Sequence, residues 1–384
     1  MKKRIFAVLL AVAMVASAMT GCSSKKNAAA NSDTITIGGL APLTGDVSVY
    51  GIATNNGIKM AVDEINAAGG ILSKKINYVC YDEKGDPTEA LNAYNKLVNN
   101  DHMVALVGDV TSKPTLAVAQ RAKKDNMPMI TATATADNVT AAGTNVFRTC
   151  FIDPFQGELM ASYGSKKLNA KTAAIIYNIS DDYSKGLMEA FTASAKSLGL
   201  NVVATEGYGK NTVDFKAQLT NIKSKNPDVL FLPVYYQDVA MIAGQAKDIG
   251  LSAKLLGADG WDGVIDKIDK SKMDAINGAF FCSQYSAEST DANMVAFLKK
   301  YKETYKQDAN QFAVLGYDAM KMMAQAIKDA NSTDSAAIIK AMAAIDFTGL
   351  TGHIKFDEKR NPIKSAAITT IDNGKYKFVE YYEK

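Results

Sequence analysis

Two short hydroxyl-rich segments concentrate the polar chemistry of this 384-residue chain. Asp109-Val-Thr-Ser-Lys carries Thr111 and Ser112, and Thr131-Ala-Thr-Ala-Thr carries Thr131, Thr133 and Thr135. Each follows a short apolar run, Val104-Ala-Leu-Val-Gly and Met127-Pro-Met-Ile, of the kind that forms a buried parallel strand. Behind the first, residues 115–124 read as a helix with capping residues in front of it. Successive loops of this kind lie at the carboxyl ends of neighbouring strands, where open α/β sheets bind ligands. Hydroxyls and the orphan amides of a helix N-terminus suit a small anion such as a carboxylate there.

Other chemistries find little material. The only histidines, His102 and His353, are far apart and read as surface residues. Cys80, Cys150 and Cys282 lie in or beside apolar runs, have no metal spacing and, being odd in number, make no disulfide framework. No G-x-S-x-G, Walker A or G-x-G-x-x-G motif is present, and Gly207-Tyr-Gly lacks a third glycine. An enzyme is therefore the disfavoured class, and neither a metal nor another cofactor is expected. The chain has 43 basic and 40 acidic residues, and losing Lys2, Lys3 and Arg4 with a leader leaves 40 of each. No basic cluster exists to follow a phosphate backbone, which argues against a nucleic-acid partner.

Residues 1–21 read as a targeting segment: a charged start, an apolar core from Ile5 to Ala18, and a small-residue site before Cys22. Ala18-Met-Thr-Gly-Cys resembles the lipobox of bacterial lipoproteins, which implies lipidation of Cys22 and anchoring to the outer face of the cytoplasmic membrane. An ordinary signal with an incidental cysteine is the alternative. Residues 22–33 are small and polar, a flexible tether. From Thr34 onward, strand and helix patterns alternate with short loops, the order of a mainly parallel sheet covered by helices. The series restarts near Val146 and runs through a second set of similar size. It ends in two long helices, 293–305 and 311–330, and hairpins at 352–356 and 366–382. The expected architecture is α/β, with two Rossmann-like lobes on parallel-sheet cores joined by a multi-strand hinge. Residues 34–152 with 285–347 form the first lobe, and 153–284 with 348–384 the second.

Several stretches resemble the branched-chain amino-acid-binding proteins, the substrate-binding subunits of ABC importers with the type I periplasmic-binding-protein fold. They are Gly39-Leu-Ala-Pro-Leu-Thr-Gly-Asp, Ala61-Val-Asp-Glu-Ile-Asn-Ala-Ala-Gly-Gly, Tyr81-Asp-Glu-Lys-Gly-Asp-Pro and both hydroxyl-rich loops. The likeness runs from about Thr34 to the end and is strongest before Cys150. It implies a ligand α-carboxylate on Ser112 and Thr135, with the backbone of Thr133 and Ala134 beside it. It places the acidic partner of the α-ammonium on Asp259, where the best-known members carry glutamate, and a backbone-contacting tyrosine on Tyr235 or Tyr236. Tyr50, Tyr183 and Phe312 become pocket walls. A disulfide found in some members has no counterpart, because Thr111 stands at that position. Burying a zwitterion demands both halves, since unpaired buried charge is very costly, and splitting them between lobes couples binding to closure.

Each residue also has a plainer reading. Ser112 could cap its helix, the threonine alternation could be the exposed face of a strand, and Asp259 could be a turn residue with Asp262 as rival. Trp261 either lines the cleft mouth or packs on the surface, and Phe312 is equally suited to core and pocket. Tyr50 and Tyr183 are expected in loops at strand ends. The expected function is capture of an amino acid, branched-chain or otherwise aliphatic, for delivery to ABC permease subunits. A sensory receptor, or a binder of an amide or aromatic acid, would use the same cleft.

Overall fold

The computed structural model describes residues 33–382. The expected signal segment, Cys22 and all of the tether but Asp33 lie outside them. Five strands build the first sheet: β1 Thr34–Ala41, β2 Lys75–Asp82, β3 Ala105–Val107, β4 Met129–Thr131 and β5 Val146–Arg148, in the order β2-β1-β3-β4-β5. The pairs β1–β3, β3–β4 and β4–β5 are parallel. The second sheet contains β6 Thr172–Asn178, β7 Asn201–Tyr208, β8 Val229–Leu232, β9 Lys254–Gly257 and β10 Phe280–Ser283. A two-stranded ribbon, β11 Phe347–Gly349 with β12 Gly352–Ile354, precedes the hairpin β13 Ala366–Asp372 and β14 Lys375–Tyr382. That hairpin joins the second sheet antiparallel to β10, giving the order β14-β13-β10-β9-β8-β6-β7. The β3 and β8 side chains are all buried, as covering both faces of a sheet requires.

Helix starts follow local chemistry. Asp86 accepts from the amides of Thr88 and Glu89 at the head of helix Pro87–Asn99, and Asp181 accepts from Ser184 at the head of Asp182–Ser197. That second cap draws Tyr183 out of the expected loop into a first helical turn. Tyr50 likewise sits in the first turn of helix Ser48–Ala67. A short helix, Ser335–Ala343, headed by the Asp334 side chain accepting from the Ala337 amide, adds to the expected elements.

The chain passes to the second sheet after β5 and returns after β10 to helix Gln311–Ala330, which packs along Ser48–Ala67. Two glycines permit this crossing: a Cβ on Gly57 would stand 1.9 Å from the Ala313 carbonyl oxygen, and one on Gly316 2.3 Å from that of Thr54. At the passage between lobes, the Gln284 side chain accepts from the Phe151 amide (3.3 Å), and Lys364 donates to the Thr149 carbonyl (2.9 Å). Cys80, Cys150 and Cys282 are free thiols. Among the described residues no helix is long and apolar enough to cross a membrane.

Candidate functional site

The loops after β3 and β4 are knitted together before any ligand is considered. Thr131 Oγ1 donates to the Asp109 carbonyl (2.6 Å) and Thr133 Oγ1 to the Val110 carbonyl (2.7 Å). Ser112 opens helix Ser112–Lys124 but does not cap it. Its Oγ accepts from the Ala136 amide (3.2 Å), and Thr111 occupies the cap position without a side-chain cap bond. The capping reading of Ser112 is thus set aside, and the first amides of the helix keep no intrahelical acceptor.

Arg148, fully buried at the end of β5, fastens the second loop by donating to the carbonyls of Ala134 (3.0 Å) and Ala136 (2.8 Å). Ala134 is consequently framework: its amide goes to Thr131 Oγ1 (3.0 Å), and it does not line the cavity described below. Thr133 and Thr135 do line it. The segment 133–135 follows β4 and is not an exposed strand face.

The opposing wall comes from the turn Asp259–Trp261 after β9. Asp259 is buried, and its Oδ1 accepts from the Tyr183 hydroxyl at 2.9 Å. Its amide donates to Gln156 Oε1 (3.0 Å), and its carbonyl accepts from Gln311 Nε2 (2.8 Å). Burial pushes this carboxyl up to about 6, against the opposing pull of the Tyr183 and Gln156 hydrogen bonds. It is therefore ionised at neutral pH but short of compensating charge. Asp262 is otherwise engaged: its Oδ2 accepts from the Gln311 amide (3.0 Å) at a helix start. Trp261 neither lines the cleft nor packs on the surface. It is fully buried with Nε1 donating to the Leu232 carbonyl (2.9 Å), its indole lying against Gly257, where a Cβ would be 2.2 Å from Nε1.

Aromatic rings fill the space between the two walls. Tyr183 and Tyr235 stack with centroids 4.7 Å apart, and Tyr50 stacks on Phe312 at 4.1 Å. The Tyr50 hydroxyl crosses between lobes, donating to the Gly260 carbonyl (2.5 Å) and accepting from the Tyr236 amide (3.0 Å). Tyr236 turns into the core, whereas Tyr235 faces the cavity with a buried hydroxyl that has no partner. Burial drives Tyr50, Tyr183 and Tyr235 well above the usual phenol value, so all three remain hydroxyl donors.

The result is a small cavity nearly filled by its own side chains. Ser112, Thr133 and Thr135 stand on one side, Asp259 and Tyr235 on the other, and Tyr50, Tyr183 and Phe312 around them. Val110, Thr111 and Gly260 complete the lining. Eight of the nine expected ligand residues therefore meet at one cavity. Arg148, Gln156 and Gln311, which hold the site from behind, were missed. An isolated arginine in the apolar run Val146-Phe-Arg-Thr-Cys-Phe was the one available signal, because a buried guanidinium demands several acceptors.

A model of the family described as Periplasmic binding protein matches residues 34–375. The Leu/Ile/Val-binding protein of Rhizobium johnstonii is 34% identical over 307 residues, 79% of this chain and 82% of its own length. A leucine binding protein from Thermotoga maritima has a similar structure at 31% identity, with a TM-score of 0.85, covering 91% of this chain and 99% of its own. The branched-chain amino acid transporter substrate binding protein of Streptococcus pneumoniae, solved in complex with isoleucine, is 34% identical with a TM-score of 0.86. That match covers 91% of this chain and the whole of the other.

Proposed function

The chain belongs to the periplasmic binding protein family, and we propose that it is the extracytoplasmic receptor of an ABC importer for branched-chain amino acids. The observation that carries the ligand class is the division of one small cavity into hydroxyls on the first lobe and a buried carboxylate on the second. Ser112 Oγ, Thr135 Oγ1 and the first amides of helix Ser112–Lys124 take the ligand carboxylate, with the Thr133 backbone beside them. Asp259 takes the ammonium, and the otherwise unpartnered Tyr235 hydroxyl serves the same backbone end. Tyr50, Tyr183 and Phe312 enclose an aliphatic side chain.

This arrangement retains its ligand and transforms nothing. Each polar group answers a charge that an α-amino acid already carries, so the function is capture and release with no catalytic step. Neither lobe satisfies the zwitterion alone, so binding favours the closed molecule. The closed form is the one presented to the permease subunits. Cys22, lipidated after removal of residues 1–21, tethers the receptor to the outer face of the cytoplasmic membrane.

Calorimetry on protein stripped of ligand by unfolding and refolding tests the reading. Leucine, isoleucine or valine should bind, and Asp259→Asn should weaken binding by about a hundredfold or more, since it leaves a buried ammonium unpaired. Absence of binding by any α-amino acid, or affinity untouched by the substitution, would overturn the assignment.

A further inference from the structure

Two fully buried carboxyls lie behind the carboxylate side of the cavity and take no part in the ligand contacts above. Glu83 follows β2 and Asp109 follows β3, flanking the end of β1, and the Glu83 amide donates to the Ala41 carbonyl (3.2 Å). Asp109 Oδ1 accepts from the Val110 amide (2.5 Å), but Asp109 Oδ2 and both Glu83 side-chain oxygens have no hydrogen-bond partner. The two side chains face each other closely enough to interact directly, each acting on the other's carboxyl. Carboxylates only accept, so two ionised groups here would be buried, unpaired and mutually repelling. One proton removes both faults, because one carboxyl then donates and the other accepts.

The surroundings supply no countercharge. On β2, burial pushes Tyr78 and Cys80 up and keeps both neutral, while Asp82 is acidic and occupied by the amides of Leu43, Thr44 and Lys84. In the following turn, Lys84 is exposed, Asp86 caps its helix, and the Gly85 and Asp86 amides approach Glu83. From helix Ser48–Ala67, the charge of exposed Lys59 acts on Cys80. Neither carboxyl has a cation among the groups that act on it most strongly.

We propose that Glu83 and Asp109 share one proton, and that this proton holds segment 109–112 in its ligand-binding position, so that affinity falls when the pair ionises fully at alkaline pH. The mechanical link is short. The Asp109 and Val110 carbonyls receive Thr131 and Thr133, and Ser112 receives the Ala136 amide, so repulsion at Asp109 displaces both loops together. Burial pushes both carboxyls up, and the Asp109 charge pushes Glu83 further, which places full ionisation on the alkaline side. The coupling to affinity rests on the assignment of these loops to the ligand carboxylate.

Glu83→Gln places a permanent N–H donor opposite Asp109, and Asp109→Asn does the same from the other side should the first variant fail to fold. The infrared difference spectrum of ligand-free native protein minus variant should contain a protonated-carboxyl band at about pH 8, where an ordinary carboxyl has none. Isoleucine titrations of both proteins then test the coupling. The ligand amine titrates identically in each, so the ratio of native to variant Kd isolates the pair. That ratio should rise about threefold or more between about pH 7 and about pH 9.5. Absence of the band overturns the shared proton, and a constant ratio overturns its coupling to the loops. If neither protein binds isoleucine at any pH, the ligand assignment and the coupling fall together, while the band still decides the proton.

Discussion

Asp259 shows how one carboxylate can be made ready for a cation at a cost in stability. Removed from water and given one phenol and a glutamine for company, it is held up to about 6 by burial. Ligand capture needs the ionised form, so affinity should fall as pH drops through about 6, by up to about tenfold per unit. The arriving ammonium lowers the carboxyl again, so binding near that pH should release a proton, seen as a heat that depends on the buffer. Stability runs the opposite way. Because the folded closed form holds this proton more tightly than the unfolded chain, that form without ligand loses stability as pH rises from about 4 to about 6, by up to about 2–3 kcal/mol. Asp259→Asn should therefore be more stable than the native protein in urea at neutral pH, by up to about that amount, while binding about a hundredfold or more weakly. A variant no more stable at neutral pH than at about pH 4, relative to the native protein, would sink this account of Asp259.

At the scale of elements, the site depends on a helix crossing remote from the ligand's charges. Helix Ser48–Ala67 carries Tyr50 near its start and Gln311–Ala330 carries Phe312, and the two rings stack at 4.1 Å because the helices approach through Gly57 and Gly316. Glycine is required at Gly57 for space and not for conformation, since an added Cβ would collide with backbone that cannot rotate away. Gly57→Ala should cost about 1–3 kcal/mol in urea unfolding by overpacking the crossing. It should also weaken ligand binding by separating the Tyr50–Phe312 wall. Unchanged affinity in a measurably destabilised variant would show that the wall is positioned by other contacts.

At the scale of the whole molecule, closure is recorded in a few bonds between lobes. The Tyr50 hydroxyl satisfies both the Gly260 carbonyl and the Tyr236 amide, and Gln311 bonds the Asp259 carbonyl. In an open form water would satisfy these groups, so their bonds bias the equilibrium only once the lobes meet. Tyr50→Phe leaves a buried carbonyl and amide unpaired in the closed state alone, costing about 1–3 kcal/mol. Affinity should fall by about 10- to 100-fold, chiefly through faster dissociation in stopped-flow measurements. Small-angle scattering should show a smaller ligand-induced contraction at a fixed ligand concentration. Equal dissociation rates for the two proteins would remove Tyr50 from the closing machinery.

Alternating buried strands and helices, a hydroxyl pair of loops at strand ends, and the family motifs determine the two-lobed α/β fold from the chain alone, because periodicity and turn chemistry are local properties. The same loops and Asp259 are legible as a site, since strand ends in a parallel sheet converge. What the linear order could not decide were identities that depend on which side of a turn faces inward. Tyr235 faces the cavity and Tyr236 the core, Asp259 lines the cavity where Asp262 is claimed by a helix start, and Trp261 is folded beneath β8 and β9. Adjacent residues of one type differ there only by backbone direction. The buried supports Arg148, Gln156 and Gln311, and the meeting of Glu83 with Asp109, are products of long-range packing: each partner is chosen by the sheet order, which no local pattern encodes.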